Sequence, residues 1–282
     1  MNWIKELIEK RYKERQANFE VLRIISIILI EKLRSKGVAE RFMSIPKKIH
    51  YCWFGGNPLP ENLNKYIASW KKYLPDYEII EWNESNFDIG ECAFVKAAYE
   101  AKKYAFVSDY ARLSALYHHG GIYLDVDIQV MKPLEEDLLN YDGIFCFESE
   151  EKVMTAFMAV SKGNAIIEEF LKGYDGKVFD PEHLAPNTVI LTELLKSHGL
   201  EINGQIQQIG NCMVFSNEYF NGFDLTNSTY CISDNTYMVH HFLGSWCSPK
   251  EKFLFDLQKK VRAVFGQKGY DILKKIKKKL IG

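Results

Sequence analysis

The sequence predicts an α/β protein: an open, mostly parallel mixed sheet flanked by helices, with a helical extension before it and a basic helix after it. Three observations lead there. From Pro46 to Val160, apolar runs short enough for strands alternate with longer helical patterns; this is the rhythm of a wound sheet whose ligands bind beyond the carboxyl ends of its strands. One such run, Ile122-Tyr-Leu124, leads straight into Asp125-Val-Asp127. Charge is also segregated. Residues 1–48 carry 12 Lys/Arg and 6 acids, residues 250–282 carry 11 and 3, and the residues between carry 13 and 28, although the whole chain nets only -1.

These shifts divide the chain into a helical extension (1–44), an α/β domain (45–249) and a basic amphipathic region (250–282). Residues 2–42 read as two helices, the second from Phe19 to about Lys36 and apolar on most sides at its centre, which suits burial or an interface such as a homo-oligomer contact. Ile49 to Phe54 is a strand, closed by Gly55-Gly-Asn-Pro58. Leu63 to Tyr73 is a helix, Tyr77 to Trp82 a strand, and Ala93 to Lys103 a helix. A helix from Ser108 to His118 follows, with Ser108 as N-cap and Gly120-Gly121 as terminator. Ile122 to Leu124, Gly143 to Phe147 and Ala156 to Val160 are strands, while Asn164–Leu171 and Asn187–His198 are helices. Residues 205–242 read as strands and irregular loops, and 251–280 as helical.

Composition narrows the function. An apolar fraction of 47 % in 282 residues sustains a large core. Six cysteines with no CxxC pair read as reduced, mostly buried thiols. The acidic middle argues against nucleic acid as substrate. No signal-peptide pattern heads the chain, and the apolar run Ile24–Ile30 is too short to cross a bilayer. The expected location is cytoplasmic.

The chemistry concentrates in Val107–Asp127. Asp125 and Asp127 are two residues apart, so on a strand they face the same way. Two such carboxylates repel unless a cation lies between them, and a hard divalent ion, Mg²⁺ or Mn²⁺, shared with a substrate diphosphate resolves this. The bland alternative is two solvated acids at a strand end. An aspartyl phosphatase also uses Asp-x-Asp, but this chain has Gln129 where that motif carries Thr or Val. Asp109 and Arg112 lie one helical turn apart. Arg112 near a helix start opposes the helix dipole, so it pairs with Asp109, with a phosphate, or with both. His240-His-Phe-Leu-Gly-Ser-Trp246 is a second polar cluster. By spacing alone, a histidine there is as readily a packed residue as a metal ligand. Trp53 offers a flat face to a nucleobase or fills the core.

Four separated segments then agree with one family: Ile45-Pro-Lys-Lys-Ile-His-Tyr-Cys-Trp-Phe-Gly-Gly56, Ser108-Asp-Tyr-Ala-Arg112, Gly120-Gly-Ile-Tyr-Leu-Asp-Val-Asp127 and His240–Trp246. Over roughly residues 45–247 the chain resembles the capsular-polysaccharide and mannosyltransferase-like glycosyltransferases that carry a DxD sugar-binding region. These are distant relatives of the glucosylating domain of large clostridial toxins. The resemblance implies a GT-A fold, a nucleotide-sugar donor (UDP-linked above all), Mn²⁺ or Mg²⁺, and retention of anomeric configuration. It implies that Trp53 stacks on the base, Asp109 binds donor-sugar hydroxyls and Arg112 orients the sugar or diphosphate. Asp125 would contact ribose and metal-bound water, and Asp127 the metal. His240 would complete the metal or diphosphate shell, where the toxins carry an acid, and Ser245 and Trp246 would touch the β-phosphate side.

The expected acceptor is a saccharide; Glu148 and Glu150 either line its site or are solvated loop acids. The basic tail Lys274–Ile281 spaces Ile272, Leu273, Ile276 and Leu280 between lysines. That pattern suits either a solvated helix or one lying on an anionic leaflet. The second form fits a lipid-linked oligosaccharide acceptor, a peripheral position on the inner face of the plasma membrane, and a role in surface polysaccharide synthesis. A non-catalytic sugar-nucleotide binder and a nucleotidyltransferase are the rival classes; the latter lacks its glycine-rich phosphate loop here.

Overall fold

Parallel central strands are buried on both faces, so they read as continuous apolar runs. Four of the five residues of β1 (Lys48–Cys52) and all of β3 (Gly121–Leu124) are buried accordingly. The protein is described by a computed structural model over residues 45–181, 183–224 and 229–244. The N-terminal helices, the basic C-terminal helix, Ser245 and Trp246 lie outside these residues.

After β1 come α1 (Asn64–Tyr73), β2 (Glu78–Trp82), α2 (Ala93–Glu100) and α3 (Tyr104–His119), then β3 and β4 (Ile128–Val130). Next are β5 (Gly143–Ser149), β6 (Lys152–Val153), β7 (Phe157–Val160), α4 (Ala165–Lys172) and α5 (Asn187–Ser197). The described chain closes with β8 (Gln207–Ile209), β9 (Cys212–Phe215), α6 (Asn217–Phe220), β10 (Phe223–Asp224), β11 (Thr229–Tyr230) and β12 (Met238–His240).

The main sheet runs β2-β1-β3-β7-β5-β9-β8, with β6 on β5. Strands β1, β2, β3, β5 and β9 run one way, while β6, β7 and β8 run the other. The sheet is thus mixed and mostly parallel, as the sequence predicts. Helix α3 packs on β1, β3, α2 and α4, and it is apolar around most of its girth because neighbours enclose it. It ends at Gly120, whose φ of 63° is left-handed and where a Cβ would sit 2.6 Å from the Lys162 nitrogen. Helix α4 starts on an Asn164 side chain that accepts from the Ile166 and Ile167 amides at 3.0 and 3.1 Å.

Two sequence expectations are corrected. Helix α3 begins at Tyr104 rather than Ser108, after Lys102 takes a left-handed φ of 56°. Asp109 and Arg112 therefore sit inside the helix, and the argument from the dipole at its first turn falls. The carboxylate pair is also not on a strand. Strand β3 stops at Leu124, and the Ile128 amide donates to the Asp125 carbonyl at 2.9 Å, closing a turn. That turn feeds β4, which the sequence reading missed. Strand β4 pairs antiparallel with β12, opposing Ile128 to His240.

Candidate functional site

Turn and ribbon together do what strand alternation was expected to do. Donor atoms of Asp125, Asp127 and His240 all lie within 4.8 Å of one another. The Asp125 amide donates to the Ala156 carbonyl at 2.9 Å, which fixes the first carboxylate at the edge of the sheet. Asp127 is held from the other side. Its Oδ2 accepts from the Leu243 amide at 2.7 Å, its carbonyl accepts from the His241 amide, and Oδ1 faces His240 Nε2 at 3.3 Å. Phe242, with a left-handed φ of 49°, bends the chain so that Leu243 points back to this carboxylate.

The electrostatics follow from this packing. Burial raises the Asp127 pKa, but His240 and the Leu243 amide outweigh it and bring it down to about 2. Burial likewise disfavours charge on His240; Asp127, Asp125 and Glu148 reverse that and hold its pKa above the ordinary histidine value. The buried Nδ1 of His240 has no hydrogen-bond partner. Two carboxylates and one imidazole form a hard O,O,N donor set, with which a divalent ion is compatible. The residues fit such an ion.

Arg112 is tied into the protein throughout. Its guanidinium pairs with Asp109 at 3.0 Å and Asp125 at 3.5 Å, donates to the Thr155 carbonyl at 2.8 Å, and lies 4.6 Å over the Tyr123 ring. Tyr123 in turn donates to Asp125 Oδ1 at 2.9 Å. Arg112 is only 7 % exposed, so its contribution is to fix two carboxylates whose mutual repulsion it offsets. Asp109 is less buried; burial and Asp125 raise its pKa against the pull of Arg112.

Trp53 leaves β1 at the same edge as Asp125, and its indole N–H donates to the Asn57 carbonyl at 2.8 Å. Glu148 is the penultimate residue of β5, where burial pushes its carboxyl pKa up and His240 and Lys152 oppose. Glu150 is exposed in the following turn, against Gly204. Sequence reasoning missed Tyr123, Thr155, Leu243 and Asn221. The last is fully buried, donates to the Glu148 carbonyl at 3.0 Å and accepts from the His240 amide at 2.8 Å, so it joins the two ends of the site.

Part of the chain is similar to known proteins. Residues 60–144 match the family model described as a glycosyltransferase sugar-binding region containing a DXD motif. The chain is similar to subversion of eukaryotic traffic protein A of Legionella pneumophila, 26 % identical over 156 residues, covering 44 % of this chain and 24 % of that protein. It is also similar to inositol phosphoceramide mannosyltransferase 3 of Schizosaccharomyces pombe, 28 % identical over 136 residues, covering 46 % of this chain and 37 % of that protein. The chain thus matches between 24 % and 37 % of these relatives' own length. Among solved structures, the PaToxG glycosyltransferase aligns with a TM-score of 0.45 at 20 % identity, over 64 % of this chain and 79 % of that one.

Proposed function

We propose that this chain, whose residues 60–144 match the model of the glycosyltransferase sugar-binding region containing a DXD motif, moves a sugar from a nucleotide-sugar donor to a hydroxyl of a saccharide acceptor. The observation that carries the reading is the convergence of Asp125, Asp127 and His240 beside the Arg112-bridged Asp109. Those three residues would hold Mn²⁺ or Mg²⁺, which when bound supplies positive charge against the departing diphosphate. Asp109 accepts hydrogen bonds from donor-sugar hydroxyls. Arg112 keeps Asp109 and Asp125 in register, and Trp53 stacks on the base, taken as uracil.

The anomeric carbon loses its bond to the phosphate oxygen and gains one to the acceptor oxygen on the same face. The acceptor's proton passes to the departing phosphate, so no protein nucleophile is required and configuration is retained. Glu148 lines the acceptor side. A lipid-linked oligosaccharide at the inner face of the plasma membrane, in surface polysaccharide synthesis, is the acceptor setting that the basic tail supports. No helix among the described residues is long and apolar enough to cross a membrane.

The test is donor hydrolysis in a panel of UDP- and GDP-sugars with Mn²⁺, beside an EDTA control and Asp127→Asn. Turnover of a donor should vanish with EDTA and fall at least a hundredfold in the variant. Absence of both turnover and Mn²⁺-dependent nucleotide binding would overturn the assignment.

A further inference from the structure

A carboxylate outside the metal site pins the turn that follows β1. Glu84 lies just beyond β2 and is half-buried. Its Oε1 accepts from the Gly55 amide at 2.6 Å and from the Tyr99 hydroxyl at 3.0 Å. Burial opposes its charge, yet the Gly55 amide, its own amide and the Tyr99 hydroxyl hold its pKa below the ordinary glutamate value. The bonds it accepts are therefore charge-assisted, the strong kind.

The turn it pins belongs to Trp53. Strand β1 ends at Cys52, and the Trp53 amide still donates to the Trp82 carbonyl at 2.9 Å as the chain leaves the sheet. Gly55 and Gly56 follow with left-handed φ of 105° and 66°, and Asn57 brings its carbonyl back to the Trp53 indole N–H at 2.8 Å. A Cβ at Gly55 would come within 2.5 Å of the Tyr104 ring, which lies 5.5 Å from the ring of Tyr99. Through one oxygen, Glu84 thus binds both the turn and the aromatic wall beside it.

Consecutive glycines give a turn many alternative shapes, and an acceptor fixed on the Gly55 amide selects one of them. The half-buried indole is tied to that turn by its N–H, the one hydrogen-bonding group it has. A shift of the turn therefore tilts the ring. Resting on the transferase reading and on Trp53 as the surface for the base, we infer that Glu84 is a positioning residue for the nucleotide: it holds the Gly55–Asn57 turn that sets the plane on which the base stacks.

The test is a double-mutant cycle on donor hydrolysis by the full chain with Mn²⁺. The donors are UDP-glucose, UDP-galactose and GDP-mannose, read on the one that the wild type turns over. Glu84→Ala should lower kcat/KM about tenfold, through KM with kcat little changed, because base binding is shared by ground and transition states. Glu84→Gln keeps an acceptor oxygen for the Gly55 amide and should stay within about threefold of wild type. In a Trp53→Ala background, Glu84→Ala should cost less than about twofold more, since nothing is left for it to position. Thermal unfolding checks each fold; if Glu84→Ala does not fold, Tyr99→Phe replaces it, with a loss of about threefold that again depends on Trp53. Equal losses in both backgrounds overturn the inference, as does a KM indifferent to Glu84→Ala. Indifference to Trp53→Ala removes the base surface and the role of Glu84 with it. In all three cases turnover leaves the transferase reading standing, whereas a wild type inert toward every donor removes both.

Discussion

Two histidines among the described residues are buried, and their pKa values are shifted in opposite directions. His50, on β1, is fully enclosed, donates to the Gly120 carbonyl at 2.8 Å and accepts from the Trp82 indole at 3.1 Å. Burial depresses its pKa to about 4, with only partial opposition from the Gly120 carbonyl. His240 is 7 % exposed, faces Asp127 at 3.3 Å and leaves Nδ1 unpartnered. Its pKa is raised because three carboxylates overcome the same burial. Burial depth therefore does not distinguish a structural histidine from one in a site. What distinguishes them is whether both ring nitrogens are already satisfied by uncharged groups.

The comparison breaks most severely at Arg112, the cation that makes the carboxylate side tolerable. Arg112→Met should destabilise the fold by about 3 kcal/mol, since the half-buried Asp109 and Asp125 lose their shared counter-ion; urea unfolding at neutral pH reads this directly. His50 comes next. Below about 6.5 the unfolded chain takes up a proton there that the folded chain refuses until about 4. Stability is therefore complete above that window and lost as pH falls through it, by about 3 kcal/mol. Urea midpoints at pH 7, 6 and 5 should show this slope, and His50→Gln should flatten it.

His240 slopes the other way. Its raised pKa contributes stability below the ordinary histidine value that is lost as pH rises through the folded one. A Mn²⁺ ion and a proton would compete for His240, so calorimetry in two buffers of different ionisation enthalpy should detect proton release, and affinity should climb with pH. His240→Gln should weaken Mn²⁺ binding at least tenfold, about 1.4 kcal/mol, and abolish the release. Asn164→Ala, which touches neither histidine, should lose about 2 kcal/mol through its cap and its bond to the Asp142 carbonyl, and leave both pH slopes intact.

The sequence carried the sheet's rhythm and the metal-ligating types because both are local signals: apolar run length and close polar spacing. It did not carry where α3 starts. Phe106-Val107 reads as apolar lead-in, and a lysine in the left-handed region at Lys102 is no turn signature. Strand β4 was invisible because Ile128-Gln-Val130 is too short to show a period, and its partner lies far along the chain. The pairing of Asp109 with Arg112 follows from helical spacing, whereas the bond of Arg112 to the Thr155 carbonyl depends on how β7 lies beside β3.

The amide that clamps Asp127 comes from a residue 116 positions later. As the chain leaves the ribosome, β1, β3 and β7 can pair long before residues 238–243 exist, and long-range pairings close last in refolding as well. Through that interval the two aspartates have neither imidazole nor Leu243 amide to restrain them. Ion capture should therefore lag behind sheet formation in a refolding time course, so the site is completed by the last described strand to join.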